Sequence, residues 1–498
     1  MSLPQRLCVI VVLSSAYLLG IVQGSYAAWS SQEAVTPADS VQQVLSEVSH
    51  HCIDVDGSGE VHVVWQDWRG PGSIYYNSRT PPSGWGAESF RVDPPGVYVP
   101  EDPTVCCDPA GNVFVAWHVQ GDTTGRPQVN YRMCFASTGW ETGAGLVDNS
   151  RSYSPSAVMD DSGSVHVVWL RESHPLRNQV MYRKLVPGQG WSDDLALSGS
   201  SNSYSSGLTI AEQAGSLYVV WAELNNSTDV WDVYYRGYTP GDGWDAAPTQ
   251  VTIDGDGWSP SVAVGPDGCL FVVFTMQGTA GAHEIFFRAW SPSSGWDGIV
   301  TAVSSNDGIH SRNPDVACDD LGLVHVVWHD AREASYEIYE RVYTPGTGWG
   351  DEAPLTANEN GDLYPHLISG TCGMHLVWHN GPVYYKNYVG KSSGIPGTDR
   401  SGDDSAGRQL IVGASPNPFN GRTVIDYQLP GQMFLTLRVF SVTGQLVAEL
   451  ASGCQGAGAH SIIWEGHDFS GRQVQPGVYF VTLHYGDLRE VRAIVLLN

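Results

Sequence analysis

Two short stretches of this chain hold acidic, basic and aromatic side chains side by side. One reads Trp65-Gln66-Asp67-Trp68-Arg69 and the other Trp328-His329-Asp330-Ala331-Arg332. Rings recur at comparable places elsewhere, as Tyr98, Tyr153, Tyr204, Trp258 and Tyr364, and Arg312 takes another such place. Flat rings beside carboxylates and guanidinium groups suit sugars or peptides, which are held by stacking plus hydrogen bonds. The candidate ligand-binding residues are therefore Asp67, Arg69, Tyr153, Tyr204, Trp258, Arg312, Asp330 and Arg332. The opposing expectation is that the rings plug a channel while Asp67–Arg69 and Asp330–Arg332 lock their own loops.

Other chemistries find less in the sequence. Glu172 and Glu223 could flank a glycosidic bond, which needs two carboxyls ~5–9 Å apart. The sequence holds no Gly-rich phosphate loop, no HExxH and no nucleophile elbow. DVDGSGE (Asp54–Glu60) resembles a calcium loop, but Trp65 stands where a hand-type loop carries its last glutamate. The same Asp/Gly pattern recurs at Asp160–Ser164, so a hairpin turn is the simpler reading. The sequence calls for no metal and no cofactor.

What positions the candidates is a repeat. The phrase GEVHVVW (Gly59–Trp65) returns as GNVFVAW, GSVHVVW, GSLYVVW, GCLFVVF, GLVHVVW and GMHLVW. Its terminal aromatics sit at 65, 117, 169, 221, 274, 328 and 378. A period near 50 built from strand-type residues indicates a propeller. In the sixth copy, Asn313–Asp319, Leu323–Asp330, Tyr336–Tyr343 and Gly348–Thr356 read as four strands, which make one blade. The seventh copy ends after Tyr388 without a GW strand. Ala28–Thr36 resembles that missing piece, so the N-terminus should supply the outer strand of blade seven and close the ring.

The repeat also sorts scaffold from site. His62, His166, His325 and His375 share a slot with Phe114, Tyr218 and Phe271, so the slot needs a ring, not a metal ligand. Arg132, Arg183, Arg236, Arg288 and Arg341 share another slot, filled by Asn77 and Lys386 in blades one and seven. Such arginines are spread around a ring and suit cation–π contacts or ion pairs within the scaffold. The loops after the second strands differ between blades, so the scaffold does not dictate them.

Residues 1–27 read as a secretory signal peptide: Arg6, the apolar run Leu7–Val22, and Ser25-Tyr26-Ala27 before the cut. No later segment is apolar enough to span a bilayer. The net charge of −27 repels phosphate backbones and anionic lipid, which argues against nucleic-acid binding. The cysteines after Cys8 do not follow the repeat and lack metal spacing, so most should be single buried thiols. The propeller is expected over 28–389, a flexible Gly/Ser/Asp-rich linker over 390–408, and a second unit over 409–498. That unit carries period-2 strands and should be a small immunoglobulin-like β-sandwich. The fold class is thus all-β.

In this last unit, Ser415-Pro416-Asn417-Pro418-Phe419-Asn420 leads into Thr423–Tyr427, then Val442-Thr443-Gly444, Trp464-Glu465-Gly466 and Gly477-Val478-Tyr479-Phe480. The pattern resembles the C-terminal sorting domain of type IX-secreted proteins and the immunoglobulin-like domain of flagellar hook-capping proteins. The resemblance implies a tail read by secretion machinery or used for surface attachment. The chain ends in VLLN, without the basic residue many such tails carry. The propeller resembles, loosely, the sialidase-like group. Its Asp/Gly turn lies between first and second strands, not where that group carries its Asp box, so no catalytic residue carries over. The favoured function is an exported or cell-surface protein whose propeller binds an extracellular glycan or protein. The alternatives are a sialidase-like glycoside hydrolase and a non-binding structural surface protein.

Overall fold

A computed structural model describes residues 28–497, apart from 37–42, 46–50, 69–71, 81–83, 96–98, 121–125, 175–176, 200–203, 226–227, 254, 320, 334, 358–360, 371–372, 390–410, 430–432, 456–457, 469–471 and 486–487. The expected signal peptide and linker, together with Arg69 and Tyr98, lie outside the described residues.

The repeat forms seven antiparallel sheets, the blades of a propeller. In blade six the innermost strand is Ser311–Cys318, followed outward by Val324–Asp330 and Glu337–Thr344. The expected fourth strand is broken into two pieces. Gly348–Trp349 and Ala353–Pro354 each pair with the third strand. The second strands are buried on both faces between neighbouring blades, which is why VHVVW is apolar without alternation. Trp65, Trp117, Trp169, Trp221, Trp328 and Trp378 are all at most 1% exposed.

The ring closes as the sequence indicates. Ala28 and Trp29 pair with Val389 and Tyr388, and Glu33 and Ala34 pair with Tyr385 and Tyr384. Trp29 donates its indole N–H to Glu340 of blade six at 2.8 Å, and Glu33 takes both Nε and Nη2 of Arg79 in blade one. The donated strand therefore contacts both neighbouring blades.

The shared slots are scaffold. His62, His166 and His375 each hydrogen-bond through Nδ1 to a tyrosine hydroxyl on the third strand, and His325 does so to Glu340. Phe114 stacks on Tyr131 in the same position. Each arginine of the other slot staples two blades. Arg288 donates to Asp297 O in its own blade and to Val251 O in the preceding one, and Arg341 does likewise with Gly350 O and Val303 O. Lys386 reaches Leu355 O and Asn77 reaches Val35 O, so the two exceptions perform the same task. The Asp/Gly turns are hairpin clamps. Asp160 Oδ1 accepts the N–H of Ser162 and Ser164, with Gly163 left-handed at φ +75°. Cys106, Cys107, Cys134 and Cys269 are free thiols, the first two of them buried.

The C-terminal unit is a sandwich of a three-stranded and a four-stranded sheet. The first holds Ile411–Ser415, Thr423–Leu429 and Gly458–Trp464. The second is ordered Leu446–Gln455, Met433–Ser441, Gly477–Tyr485, Leu488–Leu496. Phe419, Trp464, Tyr479 and Leu437 fill the space between them.

Candidate functional site

In blades two to seven the innermost strand begins at the face that carries the loops after the second strands, and it begins with a bulge. Asp102, Ser154, Ser259, Asn313 and Tyr364 are left-handed there, with φ between +48° and +51°. The ladder slips at each of these points. A left-handed non-glycine residue costs about 1–2 kcal/mol, and bulges re-aim the residue beside them. The residue just before the bulge is Glu101, Tyr153, Trp258, Arg312 or Leu363. Tyr364 therefore does not share the slot of Tyr153 and Trp258; it occupies the left-handed position itself. The side chain of Tyr204 is outside the described residues.

Blades five to seven bring the densest group together. The Trp258 ring meets His283 edge-on at 4.5 Å, and His283 lies 4.7 Å from His310. Arg312 donates Nε–H to His283 Nδ1 at 3.1 Å. The His283 backbone N–H donates to His310 Nδ1 at 3.0 Å. Arg312 stands opposite His329 in the ladder. His329 takes the Tyr364 N–H on Nδ1 at 3.3 Å and meets Tyr336 and Tyr364 edge-on. Tyr364 stacks on His379 at 5.4 Å. Trp258, His283, His310 and Arg312 are half-buried, whereas His329 and His379 are buried. Burial, then Arg312 and His379, push His329 down to about 3. Burial, then Arg312 and His310, lower His283 as well.

The loop acids do something else. Asp330 is 1% exposed and accepts from the Trp328 indole, from Ser311 Oγ and from Nε and Nη2 of Arg332. Arg332 also binds Glu352 and lies 4.3 Å over the Tyr339 ring. Asp330 and Arg332 are therefore engaged with each other within their own loop. The same service recurs elsewhere: Trp169 donates to Asp148, Trp221 to Glu223 and Trp378 to Asp362. A buried indole N–H needs an acceptor, and in these four blades an acid supplies it. Asp67 is 2% exposed. The imagined hydrolytic pair is likewise engaged, since Glu172 binds Arg151 while Glu223 holds the Trp221 indole. Tyr153 sits apart from the blade five to seven group. Its hydroxyl accepts from Asn178, and its ring faces His118, which lies 3.4 Å from both Glu101 and Asp102.

Sequence reasoning missed His283, His310 and His379. For His379 the available signal was the position after the second-strand aromatic, which is histidine in blades two, six and seven (His118, His329, His379) and varies elsewhere. Trp68, 38% exposed in the blade one loop, is a further ring in the group of loops singled out from the sequence. A cavity of about 280 Å3 lies on the propeller axis toward the opposite face, where the innermost strands end; His51, Asp54, Glu212 and Asp315 line it. His51 reaches across to Thr209 Oγ1 at 3.0 Å.

Residues 418–487 match the FlgD Ig-like domain family. No curated protein matches the chain. Among solved structures, a polysaccharide lyase of the ulvan lyase type bound to -[GlcA(1-4)Rha3S]- is similar at TM-score 0.53 and 12% identity, over 70% of this chain and 94% of that one. PorZ, a surface component of the type-IX secretion system of Porphyromonas gingivalis, is similar at TM-score 0.41 and 12% identity, over 88% and 58%. A Hadza microbial sialidase is similar at TM-score 0.40 and 10% identity, over 66% and 73%. The lyase comparison shows a shared fold. Among the described residues, no helix is long and apolar enough to cross a membrane.

Proposed function

We propose that this chain is an exported or cell-surface protein that binds an extracellular glycan at the loop face of blades five to seven. Trp258 supplies the stacking ring and Arg312 the principal donor, with Asp330 and Arg332 holding the neighbouring loop. The observation that carries the reading is the half-buried cluster of Trp258, His283, His310 and Arg312. It is built on residues the repeat does not dictate and held by bulges the repeat does. A rigid aromatic ring beside polar donors is what sugar recognition requires. The lyase of similar fold is bound to a glycan, which agrees with this choice over a protein ligand. The domain matching the FlgD Ig-like family is the part that directs secretion or surface attachment, and the signal peptide of residues 1–27 starts the export.

A glycan array probed with the full chain tests the binding. Replacing Trp258 with Ala is expected to weaken an array hit by roughly 1–3 kcal/mol, with the melting temperature nearly kept because the ring is half-exposed. Loss of fold without loss of affinity would make Trp258 a packing residue and end this assignment. For the tail, a chain stopping at residue 408 is expected to fold its propeller yet change its location in the native host. Unchanged surface retention of that truncation would remove the sorting role.

A further inference from the structure

Arg312 is unlike the other half-buried arginines of the described propeller. Arg79, Arg91, Arg171 and Arg332 have carboxylate partners, and the inter-blade staples have carbonyl partners. Arg312 has His283 Nδ1 on its Nε, and no partner on either Nη among the described residues. A half-buried guanidinium without a counter-charge is an electrostatic cost that a bound anion would relieve. The imbalance is pointed in a chain with 52 acidic and 25 basic residues.

The surrounding imidazoles have their tautomers fixed. His283 Nδ1 accepts from Arg312, His310 Nδ1 accepts from the His283 N–H, and His329 Nδ1 accepts from the Tyr364 N–H. A ring nitrogen that accepts carries no proton, so the neutral ring's proton sits on Nε2. Each of these rings therefore has an N–H donor left and no acceptor. With the Nη groups, the side-chain polar atoms that Arg312, His283 and His310 still have available are all donors. Such a set matches a group with acceptors alone, and a neutral sugar hydroxyl, which both donates and accepts, fits it less well.

We propose that this site takes the anionic substituent, a carboxylate or a sulfate, of an acidic polysaccharide, held by the Nη groups of Arg312 and the Nε2–H of His283 and His310 beside the Trp258 ring. The inference rests on the glycan-binding reading above and sharpens it. The guanidinium fork meets two oxygens of either group at once.

The test is calorimetric titration of the full chain with four probes: oligoglucuronate, its carboxyl-reduced counterpart, a sulfated oligorhamnose and its desulfated form. At least one anionic probe is expected to bind tenfold or more tighter than its neutral counterpart, and which one does so separates carboxylate from sulfate. Arg312→Gln is expected to erase that ratio. Inorganic sulfate, at matched ionic strength against chloride, is expected to raise the melting temperature of the parent and not of R312Q. Charged and neutral probes binding alike would overturn the anion assignment while leaving glycan binding intact. Binding of none would overturn both. A ratio that survives in a folded R312Q would overturn the role of Arg312. Should R312Q not fold, charged and neutral probes binding alike to the parent overturn the proposal on their own.

Discussion

A chain lacking Trp29–Thr36 is expected to lose several kcal/mol of stability and to aggregate. The segment is the outer edge of blade seven. Without it, Val383–Val389 presents an unpaired row of backbone groups, because Ser30 N–H no longer meets Asn387 O and Val35 N–H no longer meets Val383 O. Thr36 Oγ1, 2% exposed, also leaves the Val383 N–H without its acceptor. The loss spreads past blade seven. Arg79 of blade one loses Glu33, Glu340 of blade six loses the Trp29 indole, and Tyr388 loses the ring 5.4 Å away. A ring of blades holds its ends together by this exchange, so the deletion opens the circle instead of trimming a terminus. Thermal melts and size-exclusion chromatography of the deleted chain read the effect. An unchanged melting temperature would falsify the closure.

The closure was legible because a repeat makes an absence visible: six copies show a GW strand after the third strand, and the seventh does not. The same logic assigned His325 and Arg288 to the scaffold, and the structure gives both the partners a scaffold residue needs. Slot comparison works where the backbone repeats, since equivalent positions then have equivalent neighbours. It also anticipated the Asp/Gly turns, whose Asp160 clamps its own hairpin.

The site was less legible, for a definite reason. The bulge at the start of the innermost strands of blades two to seven shifts register by one residue, and a one-residue slip changes which side chain faces where. Sequence spacing therefore grouped Tyr364 with Trp258, though Tyr364 is itself the left-handed residue. Charge between loops singles out Asp330 and Arg332 as ligand candidates, and their partners are visible only in the fold. Nothing in the sequence says that Trp328 needs an acceptor for its indole, and Asp330 is that acceptor. His283 and His310 went unnoticed because they sit where no other blade has a histidine. Departure from the repeat is the signal on which the proposed site rests, and it must be read residue by residue.

The second large effect concerns Asp315, and it sets how stability depends on pH. Asp315 is buried on the innermost strand of blade six, in the position held elsewhere by Cys52, Thr104, Ser156, Thr209, Ser261 and His366. Burial raises its carboxyl to about 7, against the opposing pull of Ser261 Oγ and the N–H groups of Leu367 and Val316. The folded state therefore holds this proton more tightly than the unfolded chain does. The stability this contributes is fully present below the unfolded value near 4 and is lost as pH rises through about 7. A shift of roughly three units corresponds to on the order of 4 kcal/mol. Asp315→Asn keeps an acceptor oxygen and removes the titration. Urea denaturation of parent and D315N at pH 4.5 and pH 8 is expected to show the difference between them moving in favour of the variant by on the order of 3 kcal/mol. Glu284, also raised to about 7, and His325, raised to about 9, titrate in both chains and cancel in that difference. A gap between parent and variant that stays constant from pH 4.5 to 8 would mean that Asp315 is ionised in the fold, its charge borne by Ser261 and the two backbone N–H groups.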